Sequence, residues 1–68
     1  MNEESFNLSI RKFLKMVGVR SQREIEQAVA KAVAAGALKG VGVLPASMTL
    51  EIPELGLNVK LEGEISLD

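Results

Sequence analysis

The 68-residue chain contains no cysteine, histidine, tryptophan or tyrosine. Without cysteine no disulfide can staple the fold, and without histidine as well the usual ligands of a structural zinc ion are missing. A domain of this size buries only about 60% of the surface that its unfolded chain exposes. We therefore expect association with another chain, as a homodimer or with an unidentified protein partner, to supply the missing stability.

The same absences bear on chemistry. Acid–base catalysis needs a group that titrates near neutral pH, and a nucleophilic serine needs a neighbouring base to activate it. The chain offers neither histidine nor cysteine for these roles. The acidic stripe of Glu51, Glu62 and Glu64, with Lys60 among them, lacks the glycine-turned loop of a dedicated calcium site. We expect no enzymatic activity, no cofactor and no metal site.

Long apolar runs are also missing. The segment from Ala28 to Leu38 is interrupted by Lys31 and is far shorter than the roughly 20 residues that cross a membrane. Glu3 and Glu4 stand where a secretory signal would carry basic residues. We expect a cytoplasmic protein that does not bind membranes.

The charge is distributed unevenly although the net charge is only -1. Residues 1–39 hold seven basic and four acidic side chains, a balance of +3, whereas residues 40–68 hold one basic and five acidic, a balance of -4. The two halves are electrostatically complementary, which favours contact between them, within a chain or head to tail between chains.

Two amphipathic helices are predicted in the first half. Phe6, Ile10, Phe13, Leu14 and Val17 have helical spacing over residues 3–17, where Asn2 is the expected N-cap and Gly18 the expected end. The sequence Ser21-Gln22-Arg23-Glu24 fits a capping box that starts a second helix over residues 22–35. Its inner face comprises Ile25, Ala28, Val29, Ala32 and Val33, and Gly36 ends it.

The second half changes to a period of two, which is typical of strands. Strands are predicted over residues 46–52 and 57–67, after a loop over residues 36–45. The apolar residues are even-numbered in the first strand and odd-numbered in the second. Because directly opposed residues share a face, an apolar residue pairs with an apolar residue only if the two residue numbers add to an odd sum. A four-residue loop, Pro53 to Gly56, pairs Ile52 with Leu57, and a six-residue loop pairs Leu50 with Leu61.

Together these elements predict one α+β domain over residues 1–68, in the order helix, helix, strand, strand (ααββ). The two N-terminal helices would pack on the apolar face of the C-terminal antiparallel β-hairpin. Each edge of a two-stranded sheet is a template for another strand, so the sheet is expected to extend across a dimer. We interpret the chain as a structural or protein–protein interaction module.

An alternative is nucleic-acid binding by a helix-turn-helix-like arrangement. If a helix starts at residue 22, Gln22 and Arg23 would lie where base edges are read and Arg20 would reach a phosphate. The absence of a third helix and the negative net charge count against this alternative.

Five stretches of the sequence form a familiar overall pattern: residues 6–15, Val17-Gly18-Val19, residues 21–26, Met48-Thr49-Leu50 and residues 61–65. In this pattern the chain resembles a family of small uncharacterised bacterial proteins, a domain of unknown function. The resemblance spans nearly the whole chain. It implies a bacterial cytoplasmic setting, and it transfers no activity and no site residue because that family has no assigned activity.

Overall fold

The computed structural model describes all residues, 1–68, and confirms the α+β class. Its elements are one α-helix, α1 (Glu3–Ala34), followed by strand β1 (Val43–Ile52), a short 3-10 turn (Pro53–Leu55) and strand β2 (Leu57–Ser66). The contacts divide the chain into two compact units, Met1–Leu38 and Lys39–Asp68. The first unit contains the helix and the second the hairpin.

The prediction of two helices is wrong, because α1 runs for 32 residues without interruption. Gly18, expected to end a first helix, lies in its interior and does not have a positive φ. Ser21, expected to cap a second helix, lies inside α1 as well. Ser21 and Glu24 therefore do not form the predicted capping box at a helix start.

The continuity of α1 has a physical reason in the spacing of its apolar residues. The apolar residues Leu14, Val17 and Ile25 stay on one helical face across the predicted break, and the small polar residue Ser21 lies on that face between Val17 and Ile25. A chain reversal would disrupt this phase, whereas one helix keeps all of these residues on one face. A single interior glycine costs only about 1 kcal/mol relative to alanine, which a long helix tolerates.

Both ends of the helix were predicted correctly. The side chain of Asn2 accepts a hydrogen bond from the backbone N–H of Ser5 at 3.0 Å, which satisfies one of the free donors of the first turn. At the other end Gly36 has φ 74°. The N–H of Gly36 donates to the carbonyl of Val33 and that of Ala37 donates to the carbonyl of Ala32, each at 3.0 Å, which is the Schellman pattern.

The hairpin has the register that the parity argument allowed for a four-residue loop. Ile52 pairs with Leu57, and Met48 pairs with Leu61. The loop contains the 3-10 turn and ends at Gly56, whose φ of 63° is a left-handed conformation that favours glycine.

The predicted loop over residues 36–45 is too long at its C-terminal end, since β1 begins at Val43. It includes Pro45, which pairs with Glu64. Proline lacks the N–H that an interior strand needs, but both strands of a two-stranded sheet are edges, so one side of each strand requires no partner.

Candidate functional site

One face of α1 carries nine positions that we call the helix stripe. At about 100° per residue they fall within an arc of roughly 120°. Phe13 is 50% exposed and Leu14 is 53% exposed, and none of the nine is buried. The members of the helix stripe are Phe6, Ile10, Phe13, Leu14, Val17, Ser21, Ile25, Ala28 and Ala32.

The helix stripe repeats with a period of eleven residues. Phe6, Val17 and Ala28 are eleven residues apart, and so are Ile10, Ser21 and Ala32. Eleven residues in three turns give about 3.67 residues per turn, close to the 3.6 of an unstrained helix. The stripe therefore stays on one face of a nearly straight helix along its whole length.

Side-chain size changes along the helix stripe. Its first half carries Phe6, Ile10 and Phe13, whereas its second half carries Ser21, Ala28 and Ala32 with one large residue, Ile25. A smaller apolar group lies on the opposite side of the helix and is exposed as well: Leu8, Met16 and Val19.

The hairpin presents a second apolar surface, which we call the hairpin face. Three cross-strand pairs form its centre: Ile52–Leu57, Leu50–Val59 and Met48–Leu61. Leu61 is 55% exposed and Met48 is 43% exposed. Leu44 and Ile65 form a further pair beyond a small step at Ala46–Gly63.

Gly63 has no local reason to be glycine. Its φ is not positive, and a Cβ placed on it would have nothing within 4 Å. A glycine inside a strand weakens the strand and often marks a place where another group approaches the backbone closely. Within the hairpin no group does so.

The opposite face of the hairpin is polar and wet. Lys60 Nζ and Glu62 Oε1 are 3.5 Å apart, and both side chains are well exposed, so the pair contributes under about 1 kcal/mol. An open depression here is lined by Pro45, Ser47, Lys60, Glu62 and Glu64, with Ala46 and Gly63. The structure contains no group of three or more acidic side chains placed to hold a metal ion.

The residues predicted to bind nucleic acid lie in the middle of α1. Arg20, Gln22 and Arg23 do not start a helix, so the helix-turn-helix-like arrangement is absent. Residues two apart on a helix do not face each other, and Arg20 and Gln22 therefore point in nearly opposite directions. Gln22 and Arg23 line a shallow surface depression together with Val19 and Glu26. The carboxylate of Glu26 disfavours a phosphate at that position.

Sequence reasoning found most residues of both surfaces but divided the helix stripe between two helices. The eleven-residue period is the signal that reveals the stripe as one continuous surface. The apolar residues Phe6, Val17 and Ala28 are enough to show this period, without regard to helix caps.

No helix of the chain is long and apolar enough to span a membrane. No curated protein and no solved structure matches the chain. A match to a protein family extends over residues 1–68, and that family is described as a family of unknown function. The chain therefore belongs to the DUF6494 family, in agreement with the resemblance of its sequence to small proteins of unknown function.

Proposed function

We propose that this protein is a non-enzymatic interaction module that completes its hydrophobic core against another polypeptide. One observation carries the proposal: none of the residues is buried, while seventeen large apolar side chains are exposed. Buried apolar surface is the main favourable term in folding. A chain that is 47% hydrophobic and buries no side chain has its core still to form.

The accessible area gives the size of the missing contact. The chain exposes 6112 Å². A folded monomer of its mass, 7.3 kDa, is expected to expose about 4,200 Å². The excess sets an upper limit of about 1,900 Å² per chain for the area that a partner covers, and the roughly 800 Å² per partner of a standard protein–protein interface lies well within it. Association close to this upper limit is typical of obligate complexes, whose interfaces resemble a domain core cut in half.

The composition supports the non-enzymatic part of the proposal. The chain has no histidine, cysteine or tyrosine to act as an acid, base or nucleophile near neutral pH. Two concave regions are open depressions, one on the surface of the hairpin and one on the surface of the helix. Binding through apolar faces needs neither a reactive group nor a closed cavity.

Unfolding of the purified chain as a function of its concentration tests the proposal. If the core forms on self-association, the midpoint of unfolding rises with protein concentration. If it forms on a different protein, the isolated chain unfolds without cooperativity at every concentration. Concentrations must be taken from peptide-bond absorbance, because the chain has no tryptophan or tyrosine. A cooperative unfolding transition of a monomer, independent of concentration, would refute the proposal.

A matched pair of variants links this behaviour to the helix stripe. Phe13→Ser removes a large side chain from the stripe, whereas Lys12→Ser changes its neighbour outside the stripe. We expect Phe13→Ser to lower the unfolding midpoint strongly and Lys12→Ser to leave it nearly unchanged. Equal effects of the two substitutions would show that the stripe is not the contacted surface.

A further inference from the structure

We propose that the occupant of the helix stripe is the stripe of a second copy of this chain, packed antiparallel about a twofold axis at residue 19. This inference rests on the proposed function and specifies its partner. It assigns the contact to α1 and fixes both its direction and its register. Four features of the chain favour a second copy: the symmetry of the stripe, its side-chain sizes, the charges at the helix ends and the exposed area.

The helix stripe is symmetric about residue 19. In an antiparallel pair centred there, residue numbers in one layer add to 38, as Phe6 and Ala32 do. Every stripe position then meets another stripe position, apart from Leu14, which meets Glu24. Glu24 can cover Leu14 with its methylene groups and keep its carboxylate in water. The four matched layers are Phe6–Ala32, Ile10–Ala28, Phe13–Ile25 and Val17–Ser21.

Side-chain sizes favour the antiparallel direction. Large residues of one copy meet small residues of the other in the layers Phe6–Ala32 and Ile10–Ala28. Two straight helices pack about 8–10 Å apart, at a distance set by the side chains between them. A parallel pair would place Phe6 on Phe6 and Ala32 on Ala32 and would have to splay at one end. The twofold axis of the antiparallel pair gives its two ends the same side-chain volume.

Charges at the helix ends favour the same direction. The first turn carries Glu3 and Glu4, and the last turn carries Lys31. Antiparallel packing in this register brings Glu3 to about 6 Å along the helix axis from Lys31 of the second copy, close to one helical turn. Opposed helix dipoles add a favourable term, whereas a parallel pair would set like charges side by side.

The exposed area is consistent with a second copy as the occupant. Two chains, each with an excess of about 1,900 Å², would bury at most about 3,800 Å² in total. Obligate homodimers bury about 2,000–5,000 Å². A straight stripe along 32 residues provides a long continuous part of that interface.

A double-mutant cycle tests direction and register together. Residues 10 and 28 of one helix are about 27 Å apart, so substitutions at these positions within one copy should not interact. In the proposed dimer Ile10 and Ala28 of different copies share a layer. Ile10→Glu and Ala28→Lys should each weaken the dimer, and the double variant should bind at least about tenfold more tightly than the two single effects predict.

The matched control for this cycle is Ala28→Glu. Combined with Ile10→Glu it places like charges in the same layer, so the double variant should bind more weakly than the two single effects predict. Additive effects in both cycles would overturn the antiparallel register.

Distances between spin labels test the same arrangement without a charge in the interface. Because the chain has no cysteine, Ser5→Cys and Arg20→Cys each provide a single labelling site. In the proposed dimer the two labels at position 5 are about 45 Å apart and those at position 20 less than about 20 Å apart. Short distances at both positions would indicate parallel helices and overturn the proposal. A long distance between the labels at position 20 would also overturn the proposal. Such a distance is expected if the two copies were joined only through the edges of their hairpins.

The failure of this inference differs from the failure of the proposed function. A monomer that unfolds without cooperativity would exclude the second copy and leave association with another protein. A monomer with cooperative unfolding would refute both.

Discussion

Substitution of Gly18 by alanine tests the continuity of α1. Gly18 lies inside the helix, its φ is not positive, and a Cβ added to it would have nothing within 4 Å. Alanine is favoured over glycine in a helix interior by about 1 kcal/mol, and no steric cost opposes this gain. We expect Gly18→Ala to raise the free energy of unfolding by about 1 kcal/mol per chain, or about 2 kcal/mol per dimer.

The assay is thermal unfolding followed by far-UV circular dichroism, with both proteins at one concentration. For a domain of this size 1 kcal/mol corresponds to a rise in Tm of about 4–8 °C. The control is Gly56→Ala, because Gly56 has a φ of 63°, a conformation that alanine rarely adopts. That substitution should lower Tm although its Cβ also meets no atom within 4 Å.

A helix break at Gly18 would give the opposite result. Where a glycine ends a helix in the left-handed conformation, its replacement by alanine lowers the free energy of unfolding by about 1 kcal/mol. If Gly18→Ala lowered both Tm and helix content, as Gly56→Ala lowers Tm, α1 could not be one continuous helix. The symmetry of the helix stripe about residue 19 would then lose its basis.

The remaining predictions concern single side chains and use the same unfolding assay. Asn2→Ala should lower the free energy of unfolding by about 1 kcal/mol, because it removes the N-cap side chain that accepts a hydrogen bond from the backbone N–H of Ser5. Ser21→Ala should leave the free energy of unfolding unchanged or raise it slightly, because Ser21 lies in the helix interior. A loss of about 1 kcal/mol for Ser21→Ala would restore the capping role. Lys60→Ala should change the free energy of unfolding by less than about 0.5 kcal/mol, since its ion pair with Glu62 is exposed. A larger loss would contradict that assignment.

The hairpin could be predicted because its strand period and its turn are determined by residues that are close together in the sequence. The side-chain period of a strand is two, so the parities of the apolar residues on either side of Pro53–Leu55 restricted the register to two choices. The structure has the shorter loop, with Ile52 opposite Leu57. The error at Pro45 came from treating proline as a loop signal, although an edge strand accepts it.

The helix was predictable at its ends and wrong in its middle. Asn2 and Gly36 satisfy backbone groups that would otherwise have no partner, so local chemistry identifies both ends. Gly18 and Ser21 resemble the same signals, but a local signal does not decide whether the helix ends. That choice depends on whether the apolar face stays in phase, and here it does over 32 residues.

The helix-turn-helix-like arrangement was predicted wrongly for the same reason. It required Gln22 and Arg23 to occupy the exposed first turn of a helix, and its basis disappeared once that turn proved to be interior. Arg20 and Gln22 then fall on nearly opposite sides of α1. Whether a side chain belongs to a site depends here on the helix phase rather than on residue type.

Tertiary packing is the part of this structure that is hardest to predict from the sequence of a single chain. Period and parity state which side chains share a face, but an apolar face becomes a core only when another surface covers it. In a larger protein that surface comes from the same chain, and the hydrophobic pattern has to fit different neighbours at each turn. A face that pairs with its own copy across a twofold axis has to match itself when reversed, for example by placing large residues toward one end where they reflect onto small ones. Phe6 and Ile10 reflect onto Ala32 and Ala28 in this way. A face selected only to cover the hairpin of its own chain would be under no such constraint, and this difference makes the second copy the stronger hypothesis for the helix stripe.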